Sequence, residues 1–301
     1  MKRILMIFLD GVGIGLKDSE NNPFFRYRSR VFSEVFPSVP SRENMYLNSN
    51  GAYLFPVDPV MGVRGLPQSG TGQTSIFCGV NAQQFLGQHF GPFPHSQLIP
   101  VIEKDNIFRS FMDSGRTVCF ANAYPRVFFD YIKSGKKRLS VTSLSCRLSG
   151  VILNKSTDLR AGKALSAEID NSRWAEKLGY SIPVISPELA ARRLLRLSQK
   201  HHFTLYEYFL TDHLGHGRLK DQLVSMLDVL DRFLLYIFRN LDHSNTTLVI
   251  CSDHGNLEDL SVKTHTLNPA LTITAGEHGG ELAGKIKTLA DIKPSIMRLY
   301  G

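Results

Sequence analysis

The chain has 301 residues, 43% hydrophobic and 21% charged, an ordinary globular composition that excludes an intrinsically disordered chain and is long enough for a large core. A formal charge of +8 and a pI near 9.3 would suit a polyanion, but the basic residues are scattered. The densest patches are Lys136-Lys137-Arg138 and, on a separate predicted helix, Arg192, Arg193 and Arg196; solvated faces are expected first, a preference for anionic substrates second, and no nucleic-acid partner.

Ile4 to Leu9 is a short apolar run that predicts a buried strand, and it stops at Asp10-Gly11-Val12-Gly13-Ile14-Gly15. The preceding stretch is too short for a signal sequence or a membrane span, so a cytoplasmic protein without membrane contact is expected. A dinucleotide-type loop would open a helix at once, whereas Lys17 to Pro23 follows here; a metal-binding carboxylate at a strand end fits better. Phe24 to Val63 lacks periodicity apart from a hairpin near Ala52 to Phe55. Leu66 to Gly79 then passes from a proline turn through Ser69, Gly70, Thr71 and Gly72 into apolar residues, as a loop entering a helix N-terminus does, where free backbone N–H groups favour an anion. Ser69 and Thr71 are equally ordinary helix caps.

A helix over Asn106 to Ser114 and a strand over Thr117 to Ala121 come next. From about Arg126 to Pro187 the texture reads as strands interrupted by Lys-Gly, Ser-Gly and Asp-Asn pairs. This segment, 126–187, is expected to be a small inserted cap or lid, with 1–125 and 188–301 forming the core. A helix from Pro187 to Leu197 and a strand from Phe203 to Leu210 lead to Thr211-Asp212-His213-Leu214-Gly215-His216, where Asp212 and His216 stand four apart around a glycine that predicts a tight turn. Leu223 to Leu241 has an apolar face at three-and-four spacing. Leu248 to Cys251 is a further buried strand ending in Ser252-Asp253-His254-Gly255-Asn256, with His265 eleven residues beyond His254. Leu271 to Thr274 predicts a last strand and Ala290 to Leu299 a terminal helix. Alternation of this kind predicts an α/β protein with a doubly wound, mostly parallel sheet, helices on both faces and a small cap. Four scattered cysteines without a CxxC pair read as reduced core thiols.

Three strands thus end in an aspartate, and two add histidines. That pattern favours metal ligation, with Asp10, Asp253 and His254 around one ion and Asp212, His216 and His265 around another. Two such ions clamp an in-line displacement, and Ser69, or Thr71 if the register shifts, supplies the nucleophile. His89, His95, His213 and His278 have no partners that suggest a role.

The series Asp10-Gly11, Ser69 followed by Gly72, Asp212-His213-Leu214-Gly215-His216, Ser252-Asp253-His254-Gly255-Asn256 and His265-Thr266-Leu267-Asn268-Pro269 resembles the motifs of the alkaline phosphatase superfamily. The branch it is most similar to is that of cofactor-independent phosphoglycerate mutase and phosphopentomutase. The resemblance implies Asp10, Ser69, Asp253 and His254 around one metal, Asp212, His216 and His265 around the other, and transient phosphorylation of Ser69. It also implies manganese, as in that branch, or zinc, as in others, and a small phosphorylated substrate. Those mutases carry a histidine where Gln73 stands, and a much larger cap. A small lid excludes water less well, so the expectation is a phosphomonoesterase, with a phosphodiesterase or nucleotide pyrophosphatase, or a phosphosugar mutase, as alternatives. A sulfatase is placed below these readings, and six ligand-type residues with a hydroxyl argue against a non-catalytic binding protein.

Overall fold

The computed structural model describes residues 2–136 and 138–301, so Lys137 of the basic patch lies outside the described residues. Its strands are β1 (Arg3–Leu9), β2 (Leu47–Ser49), β3 (Ala52–Val57), β4 (Val118–Phe120), β5 (Phe203–Tyr208), β6 (Thr246–Cys251) and β7 (Ala270–Gly276). They form one sheet in the order β2-β3-β7-β6-β1-β5-β4. β6, β1, β5 and β4 run parallel, while β7 pairs antiparallel with both β6 and β3, and β2 pairs antiparallel with β3. The fold is α/β as expected, with a mixed sheet whose parallel ladders are confined to one side.

β1 is the central strand, buried on both faces, which is why it reads as an unbroken apolar run. Leu5, Ile7 and Leu9 face one core layer with Leu230, Phe233 and Leu234 of helix Leu223–Asn240 and Ala190 and Leu194 of helix Pro187–Ser198. Ile4, Met6 and Phe8 face the other, with Ile76 and Phe77 of helix Ser69–Cys78 and Phe108 and Phe111 of helix Ile107–Asp113. The strand period of two therefore puts one core on each face of the sheet. Register carries the functional consequence. Leu9 pairs with Tyr208 at the tip of β5, and Phe8 with Cys251 at the tip of β6, so the loops after three adjacent strands leave the same edge at the same height.

The segment between β4 and helix Pro187–Ser198 differs from expectation. Among the described residues it holds no strand of the sheet but helices Arg126–Lys133, Val141–Leu148, Ser156–Arg160 and Ser172–Glu176. The Ser-Gly pairs are helix stops: Gly135 and Gly150, like Gly162 and Gly179, have positive φ at or just beyond helix ends, the conformation that closes an α-helix. Ser140 accepts the Ser143 N–H as a side-chain cap. Cys78, Cys146 and Cys251 are buried free thiols and Cys119 is half-buried. No helix among the described residues is long and apolar enough to cross a membrane.

Candidate metal centre

Asp10 leaves β1 into a turn that only glycine fits. Gly11 has φ +69°, and a Cβ on it would stand 3.0 Å from Asp212 Oδ1 and 3.2 Å from Asn256 Cβ. Its N–H donates to Asp253 Oδ1 (3.3 Å), and the Val12 N–H donates to Ser252 Oγ (2.8 Å). The turn after β1 is thereby stitched to the turn after β6.

After β5 the expected tight turn is instead a short helix, Leu210–Gly215. Helical spacing places Asp212 and His216 on one face, with His216 Nε2 3.3 Å from Asp212 Oδ1. Gly215 is needed for a different reason: a Cβ there would meet the Asn256 amide at 2.5 Å. Asn256 Nδ2 donates to Asp212 Oδ1 at 2.7 Å.

Two groups of donor atoms converge, each with members within 4.8 Å of one another: Asp212, His216 and His265; and Asp10, Asp212 and His254. Asp212 thus belongs to both, where the sequence assigned it to one. Asp253 joins the second through Oδ2, 3.4 Å from His254 Nε2, while Asp10 Oδ1 is 3.5 Å from the same nitrogen. The ring orientations are fixed from behind. His216 Nδ1–H donates to Lys263 O (2.7 Å) and His265 Nδ1–H to Pro67 O (2.6 Å). A carbonyl can only accept, so in each ring Nδ1 carries the hydrogen and Nε2 is the nitrogen turned to the cluster. His254 and His265 stack with centroids 3.7 Å apart.

The cluster fits a cation. Asp10 Oδ1 and Asp253 Oδ2 are buried and have no hydrogen-bond partner among the described residues, and unpaired carboxylate oxygens there are costly unless a cation or proton sits among them. Burial, reinforced by Asp253 and Asp212, raises the Asp10 carboxyl well above its ordinary range. Burial pushes Asp253 up to about 7 and, with His265 adding to it, takes His254 down to about 3, leaving that ring a neutral ligand. At Asp212 burial is outweighed by the His265 and Asn256 hydrogen bonds and by His254, which hold the carboxyl below its usual range. Mixed carboxylate and imidazole donors suit a divalent transition metal.

Ser69 begins helix Ser69–Cys78, and its Oγ lies 3.0 Å from His254 Nε2. Among the described residues the Ser69 and Gly70 N–H groups make no hydrogen bond. Thr71, the other candidate, is occupied elsewhere: its hydroxyl donates to Gln68 O and accepts the Phe90 N–H. Gly72 admits the close approach of the β6 turn, since its Cβ would stand 3.0 Å from Asp253 Cβ.

The sequence reading missed four contributors. Gln73 Nε2 donates to Asp10 Oδ2 at 3.2 Å. Asn256 and Ser252 act as described. Glu258 accepts from the Gly13 and Asn256 N–H groups and from Thr266 and Asn268. Gly13 and Gly255, where a Cβ would come within 2.6 Å and 2.2 Å of Glu258 Oε1, are the sequence signal that would have found it. His89, His95, His213 and His278 stay outside the cluster: His89 contacts Val63 O, His95 caps the Gln97 N–H and His278 sits between Glu277 and Glu281.

The Metalloenzyme superfamily model matches residues 185–301, the part that supplies Asp212, His216, Asp253, His254 and His265. The 2,3-bisphosphoglycerate-independent phosphoglycerate mutase of Thermomicrobium roseum is 29% identical over 116 residues, 35% of this chain and 22% of that protein; the matched stretch is thus under a quarter of that relative's length. The PH0037 protein of Pyrococcus horikoshii shares the fold with a TM-score of 0.56 at 14% identity, over 99% of this chain and 97% of that one. The alkaline phosphatase of the Antarctic bacterium TAB5 does so with a TM-score of 0.50 at 10% identity, over 99% and 97%. The family match is confined to residues 185–301, and the likeness to these solved structures is one of fold.

A cavity of about 390 Å³ opens beside Asp10, Ser69 and Asp212. Its far walls carry Phe93, Tyr124 and Phe128, the last two stacked at 4.0 Å, and the cations Arg138 and Arg218. Glu207 also lines it: burial pushes its carboxyl up to about 7, opposed by the Thr142 hydroxyl that donates to it at 2.7 Å.

Proposed function

We propose that the protein is a metal-dependent phosphoryl-transfer enzyme, a phosphomonoesterase acting on a small phosphorylated metabolite with Ser69 as nucleophile. The observation that carries this reading is the Ser69 hydroxyl at a helix N-terminus, 3.0 Å from His254 Nε2 and beside two buried carboxylate oxygens without partners. Asp10, Ser69, Asp253 and His254 would hold one divalent ion, and Asp212, His216 and His265 a second, manganese or zinc. When bound, such ions supply Lewis-acid polarisation of phosphoryl oxygens and a lowered hydroxyl pKa. Ser69 Oγ attacks phosphorus, the leaving alcohol departs with the proton that Ser69 gives up, and water then releases phosphate from the phosphoserine. The free N–H groups of Ser69 and Gly70 face the developing charge, and Gln73 orients Asp10.

Arg138 and Arg218 form no ion pair among the described residues, which supports an anionic substrate in the cavity they line. A cytoplasmic setting belongs to the same reading and is supported by four unpaired cysteines. The name of the curated relatives supports a second reading, a phosphomutase, and product analysis separates the two: free phosphate from a hydrolase, an isomeric ester from a mutase. In a screen of phosphomonoesters with added manganese, Ser69→Ala is expected to lower phosphate release by roughly a thousandfold or more while retaining bound metal. Undiminished turnover in that variant removes Ser69 from the chemistry.

A further inference from the structure

Away from the metal centre, Arg192, Arg193 and Arg196 of helix Pro187–Ser198 face Arg160 of helix Ser156–Arg160 across a concavity of about 280 Å³, floored by Ala161, Gly162 and Leu189. The arginines that form ion pairs elsewhere are Arg3, Arg30, Arg126, Arg232 and Arg239; among the described residues none of these four has a carboxylate partner. Like charges at positions 192 and 196, and 193 and 196, are adjacent on a helix and repel. The crowding is felt at Arg193, whose guanidinium is lowered from its ordinary pKa by burial and then by Arg196.

Three of the guanidinium groups are nonetheless held in place by neutral acceptors. Arg196 Nη2 donates to Gly162 O (2.8 Å), Arg160 Nη2 to Ser181 O (3.3 Å) and Arg192 Nε to the Tyr236 hydroxyl (3.2 Å). Arg193 packs on Gly162, where a Cβ would stand 3.1 Å from its Nε. Each tether uses one N–H of a planar fork that has five, and the rest are available to an acceptor in the concavity.

We propose that this four-arginine concavity is a second anion site, taking a small anion with two or more phosphoryl groups. Fork-shaped donors match phosphoryl oxygens in pairs, and the volume is at the small end of ligand pockets, suited to a diphosphate moiety rather than a polymer. Bound there, the anion bridges helix Ser156–Arg160 to helix Pro187–Ser198. It thereby braces the segment that also supplies Phe128 and Arg138 to the cavity beside Ser69.

The test is calorimetric titration of the full chain with inorganic pyrophosphate, comparing wild type, Arg193→Gln, Arg160→Gln and the metal-centre variant Asp212→Asn. The expected result is one binding event that persists in Asp212→Asn, weakens about tenfold or more in each arginine variant and weakens with added salt. Arg160 is exposed and lies on the other helix, so its variant carries the comparison if Arg193→Gln does not fold. Binding that vanishes in Asp212→Asn and survives both arginine changes assigns the anion to the metal centre and overturns the proposal. So does the absence of binding at millimolar pyrophosphate, or tighter binding of a single-stranded oligonucleotide through the same arginines.

Discussion

Glu258 holds the candidate metal centre together without joining its donor atoms. Its carboxylate takes the Gly13 and Asn256 N–H groups on one oxygen and Thr266 and Asn268 on the other, and so locks the turn after β1 to the segment that carries His265. Glu258→Ala leaves two buried N–H groups without an acceptor and is expected to cost roughly 3 kcal/mol or more of stability, read from urea unfolding; an unchanged midpoint contradicts this role. The sign of the pH dependence at the cluster follows from Asp10 and Asp253. Both have raised pKa values, Asp253 to about 7, so the metal-free fold keeps protons that the unfolded chain loses, and its stability falls as pH rises from the ordinary carboxylate range toward 7. A metal must displace those protons. Manganese affinity is therefore expected to fall as pH drops below about 7, with proton release measurable as a buffer-dependent heat of binding; a pH-independent affinity would place the ion elsewhere. The ligand-type residues were legible because Asp and His at the end of an apolar run have few other uses. Gln73 and Glu258 were not, because their partners, Asp10 and the Gly13 N–H, are distant in sequence and meet only through the sheet register.

Helix Ser69–Cys78 is buried along its whole length although it is rich in Ser, Thr and Gly. It tolerates this because Thr74 and Ser75 donate back to the Gly70 and Thr71 carbonyls at 2.7 and 2.9 Å, and because its glycines admit other backbones. Gly72→Ala places a methyl group against Asp253 and is expected to weaken manganese binding about tenfold or more with the fold retained, as titration calorimetry and circular dichroism would report. Full affinity would mean that the β6 turn can yield. The strands β1 and β6 were readable from continuous apolar runs, and helix Leu223–Asn240 from its stripe. The helices between β4 and Pro187 were not: they are short, and their Ser-Gly pairs resemble hairpin turns as closely as helix stops. Helix Leu210–Gly215 was hidden for a similar reason, since a single glycine inside six residues signals a turn.

Across the whole molecule, the parallel order β6-β1-β5 brings Asp253, Asp10 and Asp212 to one sheet edge, and the two cores clamp that edge from both faces. The candidate ligands come from both ends of the chain, so metal bound among them would be coupled to global folding. At metal a hundredfold above its dissociation constant, chelation is expected to remove about 2.7 kcal/mol, lowering the melting temperature by roughly 4 °C for a chain of this size; scanning calorimetry with and without chelator would show it, and an unchanged transition would sever metal from fold. The most direct test of phosphoryl transfer through Ser69 is to quench manganese-dependent turnover in acid and map phosphate on the peptides by mass spectrometry. The account predicts phosphate on Ser69, whereas phosphate on Thr71, or on no residue while the wild type turns over, would contradict it.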